Sequence, residues 1–593
     1  MFKPILSIQE LKLGNDELTI TVKITSDSDV RVRSPKVRVI FRNGREERRL
    51  PMLIEADYIT TDMKSNVVYA KYKYFLKELF IPYNEKDKID ISFAYAYGED
   101  YVEEIPFSLS RDISLENEEY AVNTQEELGM ISIQRVLLKE KDSRLVRLAK
   151  LVKQCFRALY SLILYVIGLL LFPLFLVDAI VSRCGLSPKS RMNHSRGLMW
   201  YASHVRWRYS SFCKKKMSFV ELKLWFLLRV YQYYCHKPVV QNRVAFLSSR
   251  RADMTGNLGF VYDMMKEDKS YDIQILLDPD PLKVMKLKNV VKLAYLAATS
   301  KVLLVDDFFP ALNRFELRKE TKLIQLWHAC GAFKTFGFSR LGKKGGPTQT
   351  SKNHRNYNYA IVSSKEIAKY YAEGFGITSS HVVATGVPRT DIFFNETYKE
   401  KVVSEFYEKY PHLRDKKIIL FAPTFRGNGK GSAYYTSSRF DAVQVYENTN
   451  HEYAIIIKHH PFVKDHIDIP KEYEHDIIDM SNESELNDLL FVTDLVITDY
   501  SSLIFEASLL NIPMLFYAYD LRRYIATRDF YYEYELFVPG KIVSSQSKLI
   551  KAINKKDFES EKIEGFKKQF FDHLDGRSTE RLIQLIQDIM VTT

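Results

Sequence analysis

Apolar and polar residues alternate with a period of two through the first part of the chain, in ELTITVKIT (17–25), VRVRSPKVRVIF (30–41) and DKIDISFAYAY (87–97). Such runs, broken by Asp, Asn and Gly, predict antiparallel strands and a small β-sandwich over residues 1–112, an accessory or acceptor-positioning module with no visible chemistry. Residues 113–157 turn charged and are read as a helical linker ending in KEKDSRLVRLAKLVKQCFR. Then ALYSLILYVIGLLLFPLFLV (158–177) runs without a charge. A membrane span needs about 20 apolar residues, so 158–182 reads as a membrane segment. Basic residues flank it on both sides (Lys150, Lys153 and Arg157; Arg183, Lys189 and Arg191). That symmetry fits a re-entrant hairpin better than a single span with one positive side. Residues 183–240 stay basic and aromatic, with Trp200, Trp207 and Trp225 among Lys and Arg, and predict a helical connector at an anionic membrane surface.

From residue 241 the pattern becomes one of short apolar runs separated by helical segments: VAFLSS, YDIQILL, KVLLVDD, LIQLWH and YNYAIVSS, then IILFAPT, YAIIIKHH, LVITDYSS and MLFYAYD. This predicts parallel strands with crossover helices, an α/β class. The pattern restarts after a charged helix, so two doubly wound, Rossmann-like lobes are expected, 241–397 and 398–593. Ligands of such sheets bind beyond the carboxyl ends of the strands.

Composition narrows the partners. The 593 residues carry 86 Lys and Arg against 74 Asp and Glu, a formal charge of +12. A basic balance suits nucleic acid, anionic lipid or a polyanionic substrate. No zinc-finger spacing, RNA-binding aromatic motif or basic zipper is visible, so no nucleic-acid partner is expected. Cys155, Cys184, Cys213, Cys235 and Cys330 are scattered without a CxxC pair and read as reduced cysteines of a cytosolic protein. The first residues carry no long apolar run, so no secretory signal peptide is expected.

The candidate chemistry lies where strands end. LVIT is followed by Asp499, Tyr500, Ser501 and Ser502 and then a helical pattern. A helix N-terminus has unpaired N–H donors, so the serines read either as a phosphate cradle or as ordinary caps. His328 follows LIQLW beside the small residues Ala329, Cys330, Gly331 and Ala332; His459 and His460 follow YAIIIK. Histidine transfers protons near neutral pH. Arg389 in GVPRTD has a planar fork suited to two phosphate oxygens. Pro423 and Thr424 end ILFA, and Glu506 lies one turn past Ser502. Lys334, Arg340, Lys343 and Lys344 form a basic, Gly-rich loop, read either as a guide for a polyphosphate or as a solvated loop. Asp306 and Asp307 are read as caps rather than a metal pair; no cofactor is called for, and metal dependence stays open.

Five stretches in order resemble the CDP-glycerol glycerophosphotransferase family, the teichoic acid polymerases and primases. They are QLWHACGAFKTFGFSRLGKKGGP from Gln325, TGVPRTDIFF from Thr385, ILFAPTFRGNG from Ile419, IIIKHHPFV from Ile455 and the stretch from Asp494 to Gly540. The resemblance covers about residues 240–590. The wording around His328 and Thr424 is similar to that of wall teichoic acid ribitol-phosphate polymerases. The shorter family form WHGTPLK is replaced by a motif one residue longer, which leaves the polyol open between ribitol, favoured, and glycerol.

The resemblance implies a two-lobed glycosyltransferase-B-like fold. It also implies transfer of polyol phosphate from CDP-ribitol or CDP-glycerol to a lipid-linked teichoic acid or capsule precursor, with CMP released. By the same resemblance His328 is the general base, and His460 stabilises or protonates the leaving phosphate. CDP-polyol contacts fall on Ala329, Cys330, Gly331, Ala332, Arg389, Pro423, Thr424, Lys458, His459, Ser501, Ser502 and Glu506, where the family often has Asp in place of the last. A cytosolic nucleotide donor and a lipid-borne acceptor place the enzyme on the cytoplasmic face of the membrane. The rival readings are a nucleotide-sugar glycosyltransferase of the same architecture and a non-catalytic membrane-anchored scaffold.

Overall fold

The structure is a computed structural model. It describes residues 4–25, 35–44, 46–54, 67–80, 88–97, 100–108, 113–117, 120–125 and 130–135, then 155, 156 and 159, and 219–591 apart from 344, 428–431, 465, 483 and 484. The predicted membrane segment, apart from Leu159, and most of the basic aromatic connector lie outside these residues. Among the described residues no helix is long and apolar enough to cross a membrane. The chain divides into two compact units, Met1–Leu137 with Val239–Leu277 and Ser300–Thr593, and Leu138–Pro238 with Asp278–Thr299.

In the first unit, the N-terminal module is built from a five-stranded and a seven-stranded sheet. Alternate residues of Glu17–Thr25 (Leu18, Ile20, Val22 and Ile24) are buried, as the period-two pattern requires. They pack in one core with Val37, Val39, Phe41, Phe93, Ile131 and Ile133. The module runs further than the sequence reading allowed. Ser114–Glu116, Tyr120–Gln125 and Met130–Arg135 are strands, and the last pairs antiparallel with Lys88–Tyr97. The predicted helical linker over 113–135 is therefore corrected. Its acidic residues masked an alternation that buries Tyr120, Val122, Ile131 and Ile133.

Two six-stranded parallel sheets follow. The first comprises β1 (Val240–Ser248), β2 (Asp272–Leu277), β3 (Ser300–Val305), β4 (Lys322–Gln325), β5 (Tyr359–Ile361) and β6 (Val382–Val383), in the order β2-β1-β3-β4-β5-β6. The second comprises β7 (Lys417–Phe421), β8 (Tyr453–Ile457), β9 (Ile477–Asp479), β10 (Leu495–Thr498), β11 (Met514–Tyr517) and β12 (Lys541–Val543), in the order β9-β8-β7-β10-β11-β12. In each, the strand order reverses next to the first strand, which opens a crevice between β1 and β3 and another between β7 and β10. Their inner strands are buried on both faces, so they read in the sequence as unbroken apolar runs.

In the second unit, the helices Phe219–Tyr234 and Leu287–Thr299 pack together. Tyr234 meets Tyr295 edge to face at 5.1 Å, and the Lys223 ammonium caps the carbonyls of Lys283 and Met285.

Candidate functional site

His328 stands just beyond β4, and its neighbours explain its aim. Trp327 before it has a left-handed backbone (φ +55°), a conformation that non-glycine residues hold only when packing enforces it. The Trp327 ring is wedged against Phe336, His354 and Phe375. Its N–H donates to the Gln325 side chain (2.8 Å), and its carbonyl accepts from the Asn257 amide (2.8 Å). The His328 side chain is left 37% exposed, with Nδ1 3.3 Å from Asp307 Oδ2. Asp307 closes β3, the strand paired with β4. Burial works to raise its carboxyl, but the hydrogen bond and charge of His328, the Phe308 N–H and Arg250 hold it below the usual range. With Nδ1–H directed at a carboxylate, the lone pair of His328 is on Nε2, the arrangement of an oriented general base.

His460 presents the opposite tautomer. The Phe462 N–H donates to its Nδ1 at 3.1 Å, so the ring proton of neutral His460 sits on Nε2. Burial, with the positive charges of Lys334 and Arg250, pushes its pKa down to about 4. His460 is thus a neutral donor at physiological pH. Arg250 also lies 3.3 Å from Asp307, so one guanidinium of the first lobe borders both histidines' surroundings.

The remaining predicted residues divide. Arg389 of the first lobe and Glu506 of the second form an ion pair across the lobes, and Glu506 is 2% exposed. Burial raises the Glu506 carboxyl, and Arg389 opposes it. The Arg389 Nε is buried without a partner among the described residues. Pro423 and Thr424 follow β7. The Thr424 N–H donates to Asp499 Oδ1 (2.8 Å), while its hydroxyl is buried with no partner among the described residues. Ser501 and Ser502 precede a seven-residue helix, Leu503–Leu509, and the Ser502 side chain makes no cap hydrogen bond. Ser501 Oγ accepts the Leu503 N–H at 3.2 Å, and Ser502 already has helical backbone angles (φ −72°, ψ −3°).

His459 is 2% exposed beside Tyr435 and His466, and its Nε2 faces the Ile467 N–H at 3.4 Å. It packs inside the lobe, whereas the neighbouring His460 is only partly buried. Lys458 donates to the carbonyls of Met480 and Ser481 (2.8 and 3.1 Å), anchoring a loop. Cys330 is buried, its thiol pushed up by burial. Tyr371 hydroxyl donates to the carbonyls of Ala329 and Gly331, which fixes the loop after His328. Ala332, at 2% exposed, is packed rather than open to the cleft.

The basic loop is likewise not free. Arg340 donates to the Arg528 carbonyl (2.8 Å) and Lys343 pairs with Asp529; Lys344 lies outside the described residues. Lys334 differs, with no side-chain hydrogen bond or ion pair among the described residues. Burial pushes its ammonium down to about 8, against the pull of Asp499. Among the described residues no group of three or more His, Cys, Asp or Glu is placed to hold a metal ion; Arg251 pairs with Asp306 at 3.1 Å.

Residues 229–588 match the family described as CDP-Glycerol:Poly(glycerophosphate) glycerophosphotransferase. The chain belongs to this family. Its relatives include the teichoic acid poly(ribitol-phosphate) polymerase of Bacillus spizizenii, 47% identical over 59% of this chain and 56% of that protein. The ribitol-phosphate polymerase TarK of Staphylococcus aureus is 45% identical over 58% of this chain and 67% of that protein. The chain thus spans little more than half the length of the first of these. A solved structure of the wall teichoic acid polymerase TagF shares the fold, with a TM-score of 0.50 at 20% identity, covering 61% of this chain and 94% of that one.

In this glycerophosphotransferase-family chain, sequence reasoning passed over three residues that the site depends on. Asp307 was read as a cap, because its partner His328 comes from the neighbouring strand. Asn257, 3% exposed, holds the Trp327 carbonyl and the Arg389 N–H (3.0 Å) with one amide. Arg426 ties Asp499 (2.9 Å) to Asp520 (2.7 Å) and so closes the crevice between β7 and β10. The FRG triplet after Thr424 was its only signal.

Gly331 shows why the loop needs small residues. Its φ is +70°, and a Cβ there would lie 2.1 Å from the Phe505 ring of the second lobe. Gly331→Ala is therefore expected to cost about 1–3 kcal/mol of stability in denaturant titration and to weaken donor binding. Unchanged stability and donor affinity would show that the loop and Phe505 do not meet.

Proposed function

We propose that the protein transfers a polyol phosphate from a CDP-polyol to a hydroxyl of a lipid-linked teichoic acid or capsule precursor, releasing CMP. The observation that carries this is the opposite tautomers of two histidines beyond strand ends, His328 with its lone pair on Nε2 and His460 with its proton on Nε2. His328 Nε2 takes the proton of the acceptor hydroxyl, and Asp307 balances the charge the ring gains. The oxygen attacks the polyol-bearing phosphorus. The bond from that phosphorus to the bridging oxygen breaks, and the electrons leave with CMP. His460 Nε2–H and Lys334 meet the developing charge on the leaving phosphate, where preorganised donors lower the barrier most. Thr424 Oγ and Arg389 Nε, both without a partner among the described residues, offer two further donors to the nucleotide.

The glycosyltransferase-B character of the two lobes belongs to the same reading, supported by the strand orders and their facing crevices. Ribitol is favoured over glycerol. Ribitol-phosphate polymerases are 44–47% identical to this chain, and the teichoic acid glycerol-phosphate primase of Bacillus subtilis is 34% identical. The apolar run at 158–177 and its basic flanks support a seat on the cytoplasmic face of the membrane, where a nucleotide donor and a lipid-linked acceptor meet.

The test is CMP release by detergent-solubilised protein given CDP-ribitol or CDP-glycerol with a lipid-linked acceptor analogue. Acceptor-dependent release, faster from CDP-ribitol, is expected. Donor binding without release from either, across several acceptors, would sink the reading in favour of a scaffold. Release of a nucleoside diphosphate from a nucleotide sugar would make the protein a glycosyltransferase.

A further inference from the structure

The N-terminal module carries no chemistry of its own, yet it is clamped where the two lobes are joined. We propose that Lys36 of this module is a positioning residue for the cleft, acting through Asp529 on the backbone that holds Lys334 beside His460. The proposal rests on the transfer reading above, because it assigns Lys334 to the leaving phosphate.

The lobes are joined by a short antiparallel pairing. The Thr335 N–H donates to the Asp529 carbonyl (3.2 Å), and the Tyr531 N–H donates to the Phe333 carbonyl (2.9 Å). Lys334 is thereby set opposite Phe530. Phe333 stacks on Phe530 with ring centres 4.8 Å apart. Asp529 has φ +61° and ψ 153°, a region that is nearly reserved for glycine. A residue persists there only when its surroundings over-determine it.

Lys36 supplies much of that determination. Its ammonium lies 3.0 Å from Asp529 Oδ1 and also donates to the Phe530 carbonyl. The same Oδ1 accepts the Phe530 N–H at 2.9 Å, and Lys343 takes Oδ2. Burial works to raise the Asp529 carboxyl, but Lys36 and Lys343 hold it far below the usual range. One side chain from the module therefore grips Phe530, which faces Lys334, and Asp529 beside it.

The grip is stiff because Lys36 opens the strand Lys36–Asn43, whose register is fixed against Lys88–Tyr97. The module is also anchored independently. Arg38 makes a two-pronged, buried contact with Glu373 of the first lobe (2.8 and 3.3 Å). The Gln349 amide pairs with both backbone groups of Phe75 (2.7 and 3.1 Å). Loss of Lys36 alone thus leaves the module docked and frees only the Asp529–Tyr531 edge.

The experiment uses the full chain with Lys36→Met, Lys36→Arg, Asp529→Asn and the Lys36→Met/Asp529→Asn double variant. In the CMP-release assay, Lys36→Met is expected to lower kcat about tenfold with KM for the CDP-polyol nearly unchanged. Lys36→Arg should recover most of that loss, and the double variant should be no slower than the worse single one. The second readout needs no activity. Amide exchange at Thr335 and Tyr531 should quicken about tenfold in Lys36→Met, while Leu420 and Ile497 in the second sheet keep wild-type protection. Wild-type turnover and exchange in Lys36→Met would overturn the proposal, as would exchange that quickens equally throughout both lobes. If the wild-type protein releases no CMP, the transfer reading fails, and the exchange pattern alone decides whether Lys36 holds the Lys334 segment.

Discussion

His328→Gln abolishes nearly all acceptor-dependent CMP release, a drop expected to be about a thousandfold or more, while CDP-polyol still binds. The reason is local. Only Nε2 of His328 presents a lone pair to the cleft, because Nδ1–H is directed at Asp307. General-base catalysis by a positioned histidine contributes about 10²–10⁴-fold, and an amide cannot replace it. Asp307→Asn should cost about a hundredfold or more, since an asparagine can favour the wrong tautomer and no longer balances the charged ring. Single-turnover CMP release and calorimetric donor binding measure the two parts separately. A His328→Gln protein that keeps a tenth of the rate would rule out this histidine as the base. A loss of rate that merely follows a loss of donor binding would make it a binding residue instead.

His460→Ala is expected to lower kcat by about a hundredfold, by removing a donor to the leaving phosphate. The pH dependence identifies its role. Its pKa is pushed down to about 4, so it stays neutral and donating throughout the range above pH 5 and adds no limb there. Lys334, pushed down to about 8, loses its charge as the pH rises through that value. The rate should therefore fall above pH 8 in the wild type. Lys334→Met should start from a lower rate and lack that limb. A basic limb that survives in Lys334→Met would place the titrating group elsewhere.

Much of the architecture can be read directly in the chain. Each of the nine apolar runs named from 241 onward is a strand, because a strand buried on both faces must be apolar throughout. The short strands Val382–Val383, Ile477–Asp479 and Lys541–Val543 escaped notice. Two or three residues carry no period, and all three strands lie at a sheet edge where one side needs no partner. The strand-end positions of His328, Thr424, His460 and Ser501 were legible for the same reason as the strands themselves.

What a residue does at a strand end was decided by the fold. His459 and His460 are adjacent and chemically identical, and only the burial of one and the Phe462 N–H on the other separate a packed side chain from a donor. Arg389 and Glu506 are 117 positions apart and meet across the lobes. Asp307 becomes the partner of His328 because β3 lies beside β4. The hydrophobic pattern by itself determined the strands, their parallel class and the ends where chemistry could sit, since burial is a local demand on each residue. The pairing of charges, the tautomers of the histidines and the grip of Lys36 on Asp529 came only from tertiary structure. They depend on distances between segments remote in sequence, which the order of residues along one segment does not contain.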